Sequence, residues 1–466
     1  MDALLASRVQ FGDTAAFHIL WPLMSIGLAL FMVVMEAMWL KTREEIYYRQ
    51  LKFWTKIFIL TFAIGTATGF PLEFEFGTNW AKFSSAAGDF FGNILGFEST
   101  IAFALEAAFL GIFVFGWDKV GKRMHFFANC MIFLGATLSA FWIMAANSWM
   151  QIPTGVVVEN GKLVVENYWV AIFNPGTLVS FSHMWVACIE ATLFMMTGIC
   201  AMVMLSKATE EKRKFFLQTF KYCLAIAVII TPLQIALGDI SGETIAKYQP
   251  AKLAATELHW NTNAPGEGAD WALIAWPNKE NNGNDFALTI PGALSLIATK
   301  STHGEVQGLN DFPKEDRPSV INDILVFYSF RIMVACGMIM FLLMLLGGWY
   351  WKRGYLKSGA PLPGTPPRAG AGGDRLFWWL FVLATPLGFI ATEAGWMVRE
   401  IGRQPWIVYH VLRTEHGLSP GLSTETVMIT TAIFTTIYVV FTVLFIYFTY
   451  RIVKKGPDLA SPLPLP

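Results

Sequence analysis

Charge is scarce in this sequence. Only 15% of its 466 residues are Asp, Glu, Lys or Arg, whereas about a quarter is usual in soluble proteins. Basic and acidic residues balance at 34 each, so nothing in the composition points to nucleic acid or to a strongly charged partner. With 55% hydrophobic residues, the chain has the composition of a protein that lies in lipid.

The chain also lacks the signals of metal clusters, disulfides and export. Its five cysteines all lie in apolar stretches and show no CxxC spacing, which argues against a metal site or a disulfide framework built on them. No basic segment precedes a short apolar core at the N-terminus, so we expect no signal peptide. No internal repeat supports an inverted-repeat transporter.

Long apolar runs are what the sequence has instead. A membrane-spanning helix needs about 20 mainly apolar residues, and nine such runs predict an all-α polytopic membrane protein. They cover residues 15–40, 54–76, 91–117, 126–150, 178–205, 216–238, 324–350, 376–398 and 427–450.

The distribution of Lys and Arg predicts the orientation. Basic residues cluster after helices 1, 3, 5 and 7 and in the C-terminal tail, whereas Lys82 and Lys162 stand alone after helices 2 and 4. Because Lys and Arg favour the cytoplasmic side, we expect an outside N-terminus and a cytoplasmic C-terminus in a bacterial inner membrane. Arg399, Arg403 and Arg413 depart from this rule, since they would lie outside.

Two connections divide the chain. Helices 1 to 6 occupy residues 1–238, and a long polar loop on the outer side occupies 239–323. Loops of this length are usually functional or disordered. Helices 7 to 9 occupy 324–466 and include a Pro/Gly-rich cytoplasmic linker at 357–375, which we expect to be flexible.

Few polar groups interrupt the apolar runs. Of seven histidines, only His18 and His183 lie inside them, each about a turn into a helix that starts outside. Met333 lies at a similar depth in helix 7, and a His/Met pair is the axial ligand set of a low-spin electron-transfer haem. The alternatives are a hydrogen-bonded helix contact for each histidine and a packing role for the methionine.

Several carboxylates also lie inside or at the ends of the apolar runs. Glu98 and Glu106 lie eight residues apart on helix 3, about 12 Å along its axis, and a carboxylate there needs a partner, a metal or a proton-transfer role. The alternative is a protonated, hydrogen-bonded Glu. Glu400 lies at the outer end of helix 8. Arginines beside a haem would pair with its propionates, which accounts for Arg403; Arg331 could do the same or mark the membrane boundary.

Five sequence motifs resemble subunit I of the cytochrome bd-type quinol oxidases, and the resemblance covers essentially the whole chain. They are Gly402-Arg403-Gln404-Pro405-Trp406, Gly395-Trp396, Glu75-Phe76-Gly77-Thr78-Asn79-Trp80, Phe330-Arg331-Ile332-Met333, and Gly238-Asp239 with Lys252-Leu253-Ala254-Ala255 and Glu257.

The resemblance implies a low-spin haem b on His183 and Met333, with a high-spin haem b and a haem d on His18 and Glu400. Which high-spin haem belongs to which residue stays open. The short outer loop is similar to that of the cyanide-insensitive branch, in which a third haem b can replace haem d.

The same resemblance gives roles to further residues. These are the oxygen site and its proton path (Glu98 and Glu106), contacts to the haems (Arg331, Trp396, Arg403, Gln404 and Trp406), and quinol binding (Asp239, Lys252 and Glu257).

The implied enzyme is a terminal oxidase. Quinol would be oxidised on the outer side and oxygen reduced to water with cytoplasmic protons, so charge separates without a pump. The implied partners are subunit II, a small single-helix subunit, quinol, oxygen and lipid, with no nucleic acid. A proton-coupled transporter or channel is the alternative. A haem–copper oxidase is excluded because two histidines inside the membrane are too few for its metals.

Overall fold

The computed structural model describes residues 2–278, 280–356, 375–461 and 463. Within this part of the chain, nine helical segments are long and apolar enough to cross a membrane, which confirms the nine predicted spans. The predicted linker at 357–375 falls almost wholly outside the described residues.

The first half of the chain contains five spans. In chain order its elements are α1 (Ala3–Thr42), α2 (Glu45–Thr78), α3 (Ala81–Phe97), a π-helical segment (Glu98–Phe103), α4 (Ala104–Phe115), α5 (Lys122–Gln151), the hairpin β1–β2 (Val156–Glu159 and Lys162–Val165), α6 (Tyr168–Ile172) and α7 (Thr177–Leu205). The third span is α3, the π segment and α4 together.

The second half contains four spans and the long connection. Its elements are α8 (Glu210–Tyr248), α9 (Pro250–Glu257), the antiparallel hairpin β3–β4 (Trp271–Asn278 and Gly283–Ile290), α10 (Ala293–Thr299), α11 (Val320–Lys352), α12 (Arg375–Ala384), α13 (Leu387–Ile401), the short pair β5–β6 (Trp406–Val408 and Leu412–Arg413) and α14 (Thr424–Lys455). We call the side of the membrane that holds residues 249–319 the loop side.

The first helix begins earlier than predicted. Asp2 caps it by accepting a hydrogen bond from the Leu5 amide at 2.8 Å, so α1 starts at Ala3 rather than near residue 15. Polar residues such as Arg8 and Asp13 lie before the apolar run, but the helix includes them. His18 therefore lies about four turns into α1, and its predicted place one turn from the start is wrong.

The depth of His18 relative to His183 nevertheless agrees with the prediction. Odd-numbered spans run in the same direction, so α1 and α7 are parallel. Thr192 donates to the Leu23 carbonyl at 2.9 Å, and its hydroxyl lies 2.3 Å from the point where Gly27 would carry a Cβ. Because His18 and His183 each lie nine residues before this contact, the two imidazoles are level along the membrane normal.

Small residues let α7 pack closely on its neighbours. Gly388 of α13 approaches Ala191, and its Cβ position lies 2.4 Å from the Ala191 Cα. Helices in lipid associate through such close contacts, because lipid tails solvate apolar side chains as well as another helix does. α7 contacts α1, α5, α8, α12 and α13 and is the central helix.

We expect Gly27→Val to destabilise the protein, because the added side chain would overlap Thr192. Overpacking of this kind costs roughly 1–3 kcal/mol, which a thermal-unfolding assay in detergent would record as a lower Tm. Gly12→Val is the matched control on the same helix, since its Cβ position has no atom within 4 Å. Equal Tm values for the two variants would contradict the packing described above.

Candidate functional site

His183 and Met333 lie on two members of a closed ring of helices. α7 packs on α8, α8 on α11, α11 on α13, and α13 on α7. The His183 ring lies against Gly238 of α8, 3.5 Å from its Cβ position, and the Met333 sulfur lies 3.0 Å from the Cβ position of Gly395 in α13. A glycine therefore leaves room beside each predicted ligand.

Polar atoms without partners mark the same ring. The His183 Nδ1, the Trp396 Nε1 and a Glu393 carboxylate oxygen are buried and have no hydrogen-bond partner. Unpaired buried polar atoms are rare and call for an explanation such as a bound group. An imidazole and a thioether are a donor set that suits haem iron. Gly238 and Gly395, which have no side chains, let these two donors lie close to the neighbouring helices.

Glu400 is the centre of a second cluster, at the loop-side end of α13. Its Oε1 accepts hydrogen bonds from Asn147 Nδ2 at 2.9 Å and Gln151 Nε2 at 3.2 Å. Its Oε2 pairs with Arg403 at 2.5 Å. Neither Asn147 nor Gln151 had been singled out from the sequence, because an amide near the end of an apolar run looks like an ordinary membrane boundary.

Lys252 of α9 joins this cluster from the connecting loop. Its Nζ donates to Gln151 Oε1 at 2.6 Å, to Gln249 Oε1 at 2.7 Å and to the Arg399 carbonyl at 3.0 Å. Burial first, and the nearby Arg399 and Arg403 second, hold the pKa of Lys252 well below its usual value. The ammonium is only 2% exposed, so it lies in the protein interior.

The cluster has more positive than negative charge. Lys252, Arg399 and Arg403 surround one carboxylate, that of Glu400, and burial lowers the pKa of Arg403. Arg399 Nη2 and Arg403 Nε and Nη1 are buried without partners. Uncompensated buried charge is costly, so these arginines are suited to hold an anion, and the carboxylates of haem propionates fit that requirement.

The His18 side chain of α1 packs against α2. Its Nδ1 is 3.1 Å from the Thr68 hydroxyl, and its ring lies 3.4 Å from the Cβ position of Gly69. One turn earlier, Thr14 donates to Glu75 Oε1 at 2.6 Å. Glu75 is only 1% exposed, because the first turns of α1, which precede the apolar run, cover it.

Glu98 and Glu106 face the same neighbouring helix. Ser139 of α5 donates to Glu98 Oε1 at 2.7 Å, and the Glu106 Cβ is 2.9 Å from the Cβ position of Gly135. Gly135 and Ser139 are one turn apart on α5. In a regular α-helix, residues eight apart differ by about 80° in direction. The π segment that starts at Glu98 widens the turn by about one residue and brings both carboxylates onto one face.

Arg331, for which a haem contact is predicted, contacts the residues of the long connection. It forms an ion pair with Glu257 at 2.6 Å and donates to the carbonyls of Thr256 at 2.8 Å and Ala272 at 3.1 Å. It thereby fastens α9 and β3 to α11. Burial, partly offset by Arg331, raises the pKa of Glu257 to about 6.

The remaining predicted residues have separate surroundings. Asp239 is exposed and forms an ion pair with Lys300 at 2.7 Å, so the structure does not bring it into the clusters of Lys252 and Glu257. Gln404 accepts from the Thr414 hydroxyl at 2.8 Å. Trp406 lies under the Arg413 guanidinium, 4.6 Å from its ring centre. These contacts hold the turn that follows Glu400.

A buried cluster on the side opposite the loop was missed. His125, expected in a loop or at a helix end, lies in the first turn of α5 with Nδ1 2.6 Å from Glu36 Oε1 and Nε2 2.9 Å from the Phe113 carbonyl. Asn129 donates to the other Glu36 oxygen at 2.8 Å. A Glu inside the apolar run of helix 1 was the available signal, but nothing in the sequence named its partner.

The fold and these clusters define a polytopic membrane protein with an internal, haem-compatible site. Residues 6–457 match the cytochrome bd terminal oxidase subunit I family, and the chain belongs to that family. It is therefore a subunit of a quinol:oxygen oxidoreductase in a bacterial inner membrane, which sets aside the transporter or channel alternative.

Similar proteins cover the chain from end to end. Cytochrome bd ubiquinol oxidase subunit 1 of Bacillus subtilis is 32% identical, with 98% of this chain and 95% of the relative covered. Cytochrome bd-II ubiquinol oxidase subunit 1 of Escherichia coli is 30% identical, with 98% and 97% covered. The bd oxidase structure from Geobacillus thermodenitrificans is 28% identical with a TM-score of 0.84, covering 98% of this chain and 99% of that one.

The pKa of Glu257 offers a test of the Arg331 contact. The raised pKa means that Glu257 takes up a proton as the pH falls through about 6, and that the pair with Arg331 is ionised only above it. We expect Arg331→Met to move this midpoint upward, because the arginine is the main group that stabilises the carboxylate. Infrared titration of the purified complex measures the midpoint.

The infrared band is assigned by substitution. Glu257→Gln should remove the titrating carboxyl band, whereas Glu267→Gln, at an exposed position of the same loop, should leave it. A midpoint that is the same with and without Arg331 would show that the two side chains are not paired.

Proposed function

We propose that the complex oxidises quinol on the loop side, which is the periplasmic side, and reduces oxygen to water with protons from the cytoplasm. The observation that carries this proposal is the buried excess of positive charge around Glu400, which lies directly against the loop through Lys252. The distribution of Lys and Arg supports the orientation. A proton-motive force then arises without a pump, because protons leave and enter on opposite sides.

The ring of helices would hold the low-spin haem b, with His183 and Met333 as the residues that bind its iron. His18 and Glu400 would hold a high-spin haem b and either haem d or a third haem b. Arg399 and Arg403 would neutralise the haem propionates. Trp396 follows Gly395, the glycine that the Met333 sulfur contacts. When bound, haem supplies the one-electron and oxygen chemistry, and the protein sets ligation, spacing and proton access.

Lys252 and Glu257 would receive quinol. Glu257 can accept a proton from a quinol hydroxyl near neutral pH, because burial raises the pKa of this carboxyl to about 6. Arg331 holds the carboxylate in place meanwhile. Lys252 and Glu257 both belong to α9, and Lys252 also contacts the Glu400 cluster. A quinol head bound at these two residues would therefore lie close to the haem proposed at Glu400.

Glu98 and Glu106 would carry protons from the opposite side. They share one face of the third span, and Ser139 donates to the former. Carboxylates buried in a membrane are costly and are typical of proton relays. Their alignment along α5 would order them on a proton path from the opposite side toward the loop-side half of the membrane.

Partners follow from the relatives, which are named as the first subunit of their oxidases. We propose a heterodimer with a subunit II and, in addition, a small single-helix subunit. The third span exposes Ser99 and Thr100 next to Glu98, polar groups that a protein neighbour would cover better than lipid does.

A substitution tests the ligand assignment. We expect Met333→Leu to abolish the low-spin haem b signal in a reduced-minus-oxidised spectrum, because leucine has no donor atom, and to leave the high-spin signals largely in place. Met338→Leu, at an exposed position of the same helix, should change nothing. An unchanged low-spin spectrum in Met333→Leu would remove this methionine from the ligand set.

A vesicle experiment tests the sidedness. Proteoliposomes with the loop side outward, given quinol and oxygen, should release as many protons outside as electrons pass and should consume the same number inside. Internal and external pH dyes together measure both. More protons outside than electrons transferred would indicate a pump, and internal acidification would reverse the proposed orientation.

A further inference from the structure

The hairpin β3–β4 presents one wholly apolar face to its surroundings. Trp276 pairs with Phe286, and Ile274 pairs with Leu288. Directly opposed residues point to the same side of a sheet, as do residues two apart on one strand, so these four side chains form one face. Their exposed fractions are 56%, 58%, 49% and 50%. An exposed cluster of this size usually marks an interaction surface.

The other side of the hairpin is fastened to a membrane span. Ala272 and Ala275 of β3 are buried against Phe327 of α11. The Tyr328 hydroxyl donates to the Ala275 carbonyl at 2.9 Å, and Arg331 Nε donates to the Ala272 carbonyl at 3.1 Å. These contacts fix the hairpin at the level of residues 327–331 of α11.

That level is the edge of the hydrocarbon layer. α11 has 33 residues, so at about 1.5 Å per residue it is longer than the roughly 30 Å of bilayer hydrocarbon. Its far end carries Trp349 and Trp351, followed by Lys352 and Arg353, which is typical of a membrane interface. About 20 residues back from there, enough to cross the hydrocarbon, α11 reaches Phe330.

Helix α10 reaches the same level independently. Lys300, which follows it, forms ion pairs with Asp239 at 2.7 Å and Glu243 at 3.0 Å. Asp239 is the first residue after the apolar run of α8. On α10, Leu296 and Ile297 are exposed. Two separately anchored parts of the connection thus present apolar side chains at one height.

We infer that the exposed faces of β3–β4 and α10 bind lipid and lie in the interface of the loop-side leaflet. Lipid is the occupant because the faces lie at hydrocarbon-edge height, where α11 also exposes Leu325 and Ile332. Tryptophan and phenylalanine are favoured at this depth. Among the described residues of the hairpin, the charged side chains of Glu280 and Asp285 lie at or beside its turn, away from the four-residue face.

The assignment rests on geometry and does not depend on quinol chemistry. It gives the connection a second role, that of an interfacial anchor which stays in contact with the bilayer. A hydrophobic molecule that moves from the membrane to Lys252 or Glu257 would then remain beside lipid on its way.

Spin labels test the inference in the intact complex in lipid nanodiscs. Nitroxides are placed singly at Phe286→Cys and Leu288→Cys on the face, and at Glu280→Cys at the turn as the matched control, in a Cys130→Ser background. Power saturation compares collisions with oxygen, which enters lipid, and with a water-soluble nickel chelate. We expect severalfold higher accessibility to oxygen than to nickel at 286 and 288, and the reverse at 280.

Two outcomes would overturn it. Nickel accessibility at 286 and 288 equal to that at 280 would show that the face is in water. Exclusion of both reagents at 286 and 288 would show that a protein partner covers the face. Neither result would bear on the haem ligands or on quinol oxidation, which the spectra and vesicles test separately.

Discussion

Lys252, Arg399 and Arg403 bring three basic side chains into the protein interior around one carboxylate, Glu400. Charges that leave water must find partners, and this requirement organises the loop-side half of the molecule. Asn147 and Gln151 approach from the end of α5, and α9 folds inward from the connection. The same imbalance leaves atoms of Arg399 and Arg403 without partners and makes the site suited to an anionic cofactor.

Arg331 couples this interior to the connection. A single guanidinium binds the carboxylate of Glu257 and two backbone carbonyls, one in α9 and one in β3. The fixed fork of the arginine side chain makes several directed hydrogen bonds at once. Together with the contacts of Phe327 and Tyr328, this arginine holds α9 and β3 at a defined height against α11.

Sequence reasoning predicted the nine spans because about 20 apolar residues are needed to cross a bilayer, and that length is visible in the chain. It also singled out His18, His183 and Met333, since polar or haem-ligating residues stand out within apolar runs, and their role as ligands stays a prediction. It did not find the true start of α1 or the contact of Arg331, because helix ends outside lipid are set by capping and tertiary contacts. Glu36 and His125 lie 89 residues apart, so only the fold could pair them.

The π segment of the third span accommodates one extra residue between its two buried acids. Glu98 and Glu106 share a face because the span contains one residue more than regular α-helical winding would accommodate between them. Replacing the side chains at 99–102 would leave the residue count unchanged, and removing one of these residues would place the acids seven apart in a regular α-helix, where they differ by only about 20° in direction and still share a face. In this family, chains that lack one residue within the π segment would therefore keep the two acids on one face of a regular helix.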